Sequence, residues 1–420
     1  MTTEYRIPRI SRIVPPWFRR HDRAVAVDDD AAERESAWWF VLAAWGSSRL
    51  LFLAAGFVGA HVAKQAYPVG VPREPTGLLN YWANWDGGWY SSIALHGYAQ
   101  TLWPASTNFF PIYPALIRAV TLLGIGPALA GVGISLAASV AAFYFLHELT
   151  RDYFGVCAAR AAVLSLAFFP TAFYLNAVYT ESVFLAAAIG SLWAARVRHS
   201  FVLAGVLGCV AAGTRNVGVF LVLPLVHEWI RQRPRQGASG LAAIALVPWG
   251  LFAYMFWLWR WTAHPLLFTT VVKQTWGRKL ANPIHTLSRA WEVARDNAVF
   301  AVHPNRVLAS ALANESFNAM ETYNLVFLAL LLALLVFVVV RLPAGLALYA
   351  VLAAIIPALA PAFFSPLASV PRYVLSVFPV FMVLGVVLAR HRVALWAWLA
   401  ANAAFGMLLT VYFTSWRWVA

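Results

Sequence analysis

The chain has 420 residues, of which 61% are apolar and only 11% are charged, and its mean hydropathy is +0.68. Soluble globular proteins contain about 45–50% apolar and about 25% charged residues. This composition excludes a water-soluble enzyme, a disordered chain and a nucleic-acid-binding protein, and it predicts an all-α polytopic membrane protein. The net charge of +14 is consistent with that class, because most positive residues lie in short segments between apolar runs, where charges set membrane orientation.

The N-terminal 36 residues are polar and form the first of two predicted parts of the chain. Seven arginines and the acidic run 28–30 lie in this segment, which we expect to be a solvated cytoplasmic tail rather than a metal site. Residues 37–420 are predicted to form a single transmembrane domain.

About eleven membrane-spanning helices are predicted, since each requires about 20 apolar residues. The spans are placed at 37–60, 127–149, 156–173, 180–196, 201–213, 216–230, 238–259, 321–340, 344–364, 371–389 and 393–413. The pair at 201–230 is too short for two ideal spans and is expected to form a helical hairpin. With the N-terminus inside, the short basic loops face the cytoplasm, as the positive-inside rule requires.

Two long non-spanning segments, 61–126 and 260–320, then lie on the outer face. Because the other loops are short, we expect these two segments to carry function. The first contains an amphipathic piece, 111–123, which is predicted to lie at the membrane interface. The second is basic and aromatic.

One acidic residue of the first outer segment, Asp86, is surrounded by aromatic residues. Residues 81–90 read YWANWDGGWY, with five aromatic residues and two glycines. Aromatic walls exclude water and stack on sugar rings, glycines allow a backbone to approach a ligand, and a carboxylate in such a place can act as a general base. The pattern fits equally well an acid that caps the start of an interfacial helix, with Trp85 and Trp89 in a membrane belt.

A polar cluster at the predicted outer end of the third span reads FFPTAFYLNAVYTES, residues 168–182. It brings Asn176, Tyr179 and Glu181 to the outer edge of the bilayer. Ionisable groups at this depth are costly unless they are paired or hydrated, which makes them candidates for function. Alternatively, Thr180 or Glu181 simply begins the next helix.

Two arginines lie near predicted helix ends. Arg215, within GTRNVG at 213–218, lies at a predicted helix break, where it either meets an anion or extends to the lipid headgroups. Arg372 begins a predicted span, where its charge opposes the helix dipole, so a bound phosphate explains it better than capping does.

Metal and hydrolytic chemistry are not indicated. The sequence contains no HExxH, no paired cysteines and no GxSxG motif, and its scattered histidines lack ligand spacing. No metal and no cofactor is therefore predicted.

Five motifs occur in order between residues 84 and 381: NWDGGWYSSIALHGY (84–98), NFFPIYPALIRAV (108–120), FFPTAFYLNAVYTESVFL (168–185), GTRNVG (213–218) and PRYVLSVFPVF (371–381). Together they resemble the PIG-V-like mannosyltransferases, which are C-type (GT-C) membrane glycosyltransferases. The resemblance implies a GT-C fold and transfer of mannose from polyprenyl-phosphate-mannose to a hydroxyl of a glycolipid or glycan acceptor on the non-cytoplasmic face. Residues 1–36 and 260–320 lie outside it.

The resemblance also implies roles for individual residues. Asp86 is the general base. Tyr179 and Glu181 correspond to the family's YTE motif. Arg215 corresponds to its TR motif, and Arg372 corresponds to its PRY motif. On this basis we expect displacement with inversion, with a polyprenyl phosphate leaving group stabilised by the two arginines. The predicted sugar- and acceptor-binding residues are Trp85, Trp89, Tyr90, Asn176, Tyr179 and Glu181.

The basic residues Lys273, Arg278 and Lys279, beside Trp276, are predicted to bind either the donor phosphate, an anionic lipid acceptor or membrane headgroups. Two other functions remain open at this stage: transport of lipid-linked sugars across the membrane, and the same transfer with another sugar. The composition favours a bacterial plasma membrane as the location.

Overall fold

The computed structural model describes residues 27–65, 67, 71–72, 78–301, 320–362 and 365–419. Most of the predicted cytoplasmic tail (1–26) and part of the second outer segment (302–319) lie outside the described residues. The described residues from position 40 onwards belong to one compact unit; the described residues of the other unit, 27–39, are helical.

The described part of the chain is helical and contains no strand, which confirms the predicted all-α class. The described residues form sixteen α-helices: α1 Val27–His61, α2 Asp86–His96, α3 Ile112–Thr121, α4 Pro127–Phe154, α5 Val156–Ala167, α6 Glu181–Arg196, α7 Phe201–Thr214, α8 Val222–Ile244, α9 Trp249–Thr262, α10 Leu267–Trp276, α11 Pro283–Ala301, α12 Met320–Arg341, α13 Ala344–Leu359, α14 Val370–Ser376, α15 Pro379–Leu388 and α16 Arg392–Thr414. Short 3-10 helices occur at Asn80–Ala83, Ala105–Asn108, Ala172–Leu175 and Asn216–Leu221.

Four of the described helices are long and apolar enough to cross a bilayer by themselves, and two bent helix pairs raise this number to six. The protein is therefore an integral membrane protein with several spans. The predicted spans 127–149, 321–340 and 393–413 each coincide with one long helix. The total of eleven stays a prediction, since several of the predicted spans are shorter apolar helices in the structure.

The predicted span at 371–389 is wrong as a single helix. The structure divides it into α14 and α15, which are bent by 89° relative to one another. Pro379 has no backbone N–H to continue the helical hydrogen bonds, so the chain turns before it and a new helix starts there. The bend separates the short helix that carries Arg372 from the long apolar run that follows.

Close helix packing fixes the position of this bend. Helix α15 packs on α5, and a Cβ atom at Gly385 would lie only 2.4 Å from the carbonyl oxygen of Ala158. Membrane helices approach one another closely through such small residues. The short helix α14, which precedes α15, is thereby held beside α6 and α12.

Candidate active site

Asp86 is the first residue of α2 and its carboxylate takes part in an ion pair. Its Oδ2 accepts a 2.6 Å hydrogen bond from Nη1 of Arg372, and its backbone N–H donates to the hydroxyl of Tyr179 at 3.1 Å. Both interpretations of the sequence therefore apply in part: the residue begins a helix, yet its carboxylate is directed at an arginine. The side chain is 21% exposed, which leaves it accessible to a ligand.

Glu181 connects the two arginines that the sequence singles out. The side chain is fully buried at the start of α6, and its Oε1 accepts hydrogen bonds from Nε of Arg372 and, at 2.6 Å, from Nη1 of Arg215. Its second oxygen, Oε2, has no hydrogen-bond partner among the described residues. Glu181 thus both begins a helix and carries the negative charge between two guanidinium groups.

Arg215 lies at the helix break that the sequence predicts. Helix α7 ends at Thr214, Arg215 is extended, and a 3-10 helix follows at Asn216–Leu221. The break directs Arg215 towards Glu181. The Glu181 carboxylate is therefore the anion that the sequence analysis expects beside the mostly buried Arg215. Asp86 and Arg372, which are 286 positions apart in the sequence, thereby meet in one cluster of charged side chains.

A third arginine, Arg278, enters the cluster from the second outer segment. The ring of Tyr373 lies between Arg215 and Arg278, at 5.7 and 5.6 Å from their guanidinium carbons. Arg278 donates to the backbone carbonyls of Ala360 and Ala368, which carry no charge. Within the described residues, three arginines thus face two carboxylates, and one positive charge remains in excess.

The three arginines and Asp86 border a cavity of about 290 Å³. Its lining consists of the three arginines, one acid, one valine, and aromatic, amide and hydroxyl side chains: Asp86, Tyr90, Asn108, Phe109, Phe110, Thr180, Thr214, Arg215, Asn216, Phe268, Thr269, Val272, Trp276, Arg278, Ser369, Arg372, Tyr373 and Trp418. Burial and the nearby Asp86 carboxylate raise the pKa of Tyr90, so its hydroxyl stays protonated as a hydrogen-bond donor. An anion with polar substituents suits this lining.

The remaining predicted site residues have other surroundings. Trp89 is buried and stacks on Phe109 at 5.1 Å, while Tyr179 is buried and donates to the carbonyl of Asn84 at 3.2 Å. Neither side chain is part of the cavity lining described above. The exposed Lys273 and Lys279 are not part of that lining either, whereas Arg278 is.

The two glycines after Asp86 serve the packing of the chain itself. A Cβ atom at Gly88 would lie 1.9 Å from the carbonyl oxygen of Pro72, and one at Gly87 would lie 3.3 Å from that of Val178. The glycines were expected to let the backbone approach a ligand, but in the structure they let it approach other parts of the protein's own backbone. These contacts hold the start of α2 and therefore the position of Asp86.

Asn176 is bound by an arginine that the sequence analysis missed. Arg49 is fully buried in α1 and donates to Oδ1 of Asn176 at 2.9 Å and to the carbonyls of Ala172 and Ala167 at 2.6 and 2.8 Å. This arginine fixes the loop that leads to Tyr179 and Glu181. The position of Arg49 inside the predicted span 37–60 marks it as a residue of interest, because charged residues at that depth are rare.

Replacing Arg49 with Leu is expected to lower the free energy of unfolding by about 1–3 kcal/mol for each buried acceptor that loses its donor. Thermal unfolding of the purified protein in detergent measures this loss. Arg118→Leu, at an exposed position of α3, is the matched control and is expected to have little effect. Equal unfolding temperatures for the two variants would contradict the assigned role of Arg49.

No protein-family model matches the chain, and no curated protein matches it. Among solved structures, it is similar to ArnT from Cupriavidus metallidurans bound to undecaprenyl phosphate, at 14% identity and a TM-score of 0.45, over 90% of this chain and 63% of that one. It is also similar to the oligosaccharyltransferase of Archaeoglobus fulgidus tethered to an acceptor peptide, at 13% identity and a TM-score of 0.44, over 90% of this chain and 55% of that one. The chain thus spans less than two thirds of the length of either structure.

Proposed function

We propose that this protein is an inverting GT-C glycosyltransferase that moves mannose from polyprenyl-phosphate-mannose to a hydroxyl of a glycolipid or glycan. The observation that carries the proposal is the Asp86 carboxylate, which borders a cavity and is held by Arg372 within a cluster of excess positive charge. The order of the five motifs supports the choice of mannose and of the non-cytoplasmic face.

Asp86 acts as the general base in this proposal. As the acceptor oxygen attacks the anomeric carbon, its proton passes to the Asp86 carboxylate, and the bond between that carbon and the phosphate oxygen breaks. The electron pair of the broken bond leaves with the polyprenyl phosphate. Attack from the face opposite the leaving group inverts the configuration at the anomeric carbon.

The arginines stabilise the leaving group. Negative charge grows on the phosphate in the transition state, and preorganised cationic donors in a site shielded from water stabilise such charge strongly. Arg278 supplies the excess charge, since its described hydrogen-bond partners are neutral carbonyls. Arg215 and Arg372 already share Glu181, so they contribute from fixed positions.

The experiment that tests the proposal is a transfer assay with the purified protein in detergent. Polyprenyl-phosphate-mannose is supplied with glycolipid acceptors, and NMR of the product reports the anomeric configuration. We expect the configuration opposite to that of the donor. Movement of the donor across proteoliposome membranes without transfer would instead indicate a transporter, and transfer only from carriers of another sugar would contradict mannose.

Chelation is expected to leave the transfer rate unchanged, because the proposal assigns the stabilisation of the leaving group to arginines. The assay is repeated after treatment with EDTA and after addition of Mg²⁺ or Mn²⁺. Loss of activity that a divalent ion restores would contradict this prediction.

Replacing Arg278 with Ala is expected to raise the KM for the donor by about ten-fold or more, because a hydrogen bond to a charged group contributes about 1.5–3 kcal/mol. The acceptor KM is expected to stay the same. Arg289→Ala, at an exposed position of the same outer segment, is the control. A donor KM that is unchanged in the Arg278 variant would remove this residue from the phosphate site.

A further inference from the structure

A series of contacts links Trp418 to the three arginines through Asp86. Trp418 contacts Trp85, whose neighbour along the chain, Asp86, pairs with Arg372. Glu181 joins Arg372 to Arg215, and the ring of Tyr373 lies between Arg215 and Arg278. Trp418 is therefore connected to Asp86 through Trp85, without any of the three arginines.

Trp418 belongs to the segment that follows α16, outside every motif that the sequence analysis identified. The side chain is half-buried and lines the cavity. Its ring contacts that of Trp85 edge to face, at 5.1 Å and 85°, and Trp85 immediately precedes Asp86. The backbone around it is anchored, since the N–H of Arg417 donates to the carbonyl of Tyr412 at 2.9 Å.

We propose that Trp418 is the platform of the acceptor subsite and that the acceptor presents a pyranose ring to it. This inference rests on the proposed function, in which the acceptor hydroxyl must reach Asp86. An aromatic face carries negative charge density and attracts the weakly positive C–H groups on one side of a pyranose. An open-chain alcohol or a peptide hydroxyl presents no such flat C–H face. The indole therefore selects a glycan or glycolipid whose accepting sugar is a closed ring.

The position of Trp89 strengthens this assignment. The sequence predicts Trp89 as a stacking residue, but its ring is already covered by Phe109 at 5.1 Å. Among the described tryptophans, the cavity lining contains only Trp276 and Trp418. Trp276 contacts Trp89 and Phe109, at 6.4 and 6.2 Å, whereas Trp418 contacts Trp85, the residue directly before Asp86.

Binding of two small probes tests the proposal without requiring turnover. Methyl mannoside has a closed ring, whereas mannitol carries a similar set of hydroxyl groups on an open chain. Titrations followed by saturation-transfer NMR use the full chain with Asp86→Asn, which slows transfer, and with polyprenyl-phosphate-mannose added to occupy the donor subsite. The same titrations are made with Trp418→Ala and Trp418→Phe introduced.

We expect methyl mannoside to bind more tightly than mannitol. We expect Trp418→Ala to raise the Kd of methyl mannoside by about three- to ten-fold, the size of an aromatic stacking contact, and Trp418→Phe to restore most of the loss. Equal Kd values for the two probes, or no change in Trp418→Ala, would overturn the proposal. A Phe variant as weak as the Ala variant would do the same. Failure of the proposed function is read separately, as absence of transfer by the unmodified protein.

Discussion

Replacing Asp86 with Asn is expected to lower kcat for sugar transfer by about 10²–10⁴-fold, the usual contribution of a general base. The amide has the same shape as the carboxylate but cannot take the proton of the acceptor hydroxyl. It also removes the charge that pairs with Arg372 at 2.6 Å. The rate is measured with saturating donor and acceptor, so that the loss reports the chemical step rather than binding.

The control for this variant is Asp296→Asn. Asp296 lies in the second outer segment, is 69% exposed and pairs with the equally exposed Arg295, so its replacement is expected to leave the rate unchanged. Size-exclusion chromatography and thermal unfolding establish that both variants fold. A folded Asp86 variant whose kcat is retained and whose donor KM alone rises would make Asp86 a binding residue and exclude it as the base.

The parts of the site that depend on local sequence could be predicted. Asp86 stands out because a lone acid among aromatic residues is unusual, and Arg215 because a charge between apolar helices requires a partner. The helix break at Arg215 was predicted from the flanking glycines, and the structure places it between α7 and the following 3-10 helix.

The pairing of these residues could not be predicted, because it depends on distant contacts. Nothing in the sequence indicates that Glu181 serves both Arg215 and Arg372, or that the bend before Pro379 carries Arg372 to Asp86. Trp418 was missed for a related reason: tryptophans near the end of an apolar helix are typical of a membrane belt. Its place in the cavity lining and its contact with Trp85 are visible only in the folded structure.

Replacing Glu181 with Gln is expected to lower kcat by about 100-fold, because displacement of a positioned group by about 1 Å can have that effect. Glu181 holds Arg372 through Nε, while Nη1 of the same guanidinium holds Asp86. Without the negative charge of Glu181, Arg372 no longer fixes the Asp86 carboxylate, although Arg215 and Arg372 both stay cationic. The KM for the donor is therefore expected to be unchanged or lower, since the phosphate meets more unbalanced positive charge.

A second buried carboxylate, Glu228, serves as the control that distinguishes an effect on stability from an effect on catalysis. It also pairs with two arginines, Arg196 and Arg231, but neither of these lines the cavity. Breaking a buried ion pair costs about 3–5 kcal/mol, so both Glu→Gln variants are expected to unfold at lower temperature. Only the Glu181 variant is expected to lose kcat, and Glu181→Asp is expected to recover part of it by restoring the charge. Equal kinetic losses at Glu181 and Glu228 would show that destabilisation alone slows the enzyme. A selective loss at Glu181 would instead mean that the buried carboxylate acts on the reaction by aligning Arg372 with Asp86.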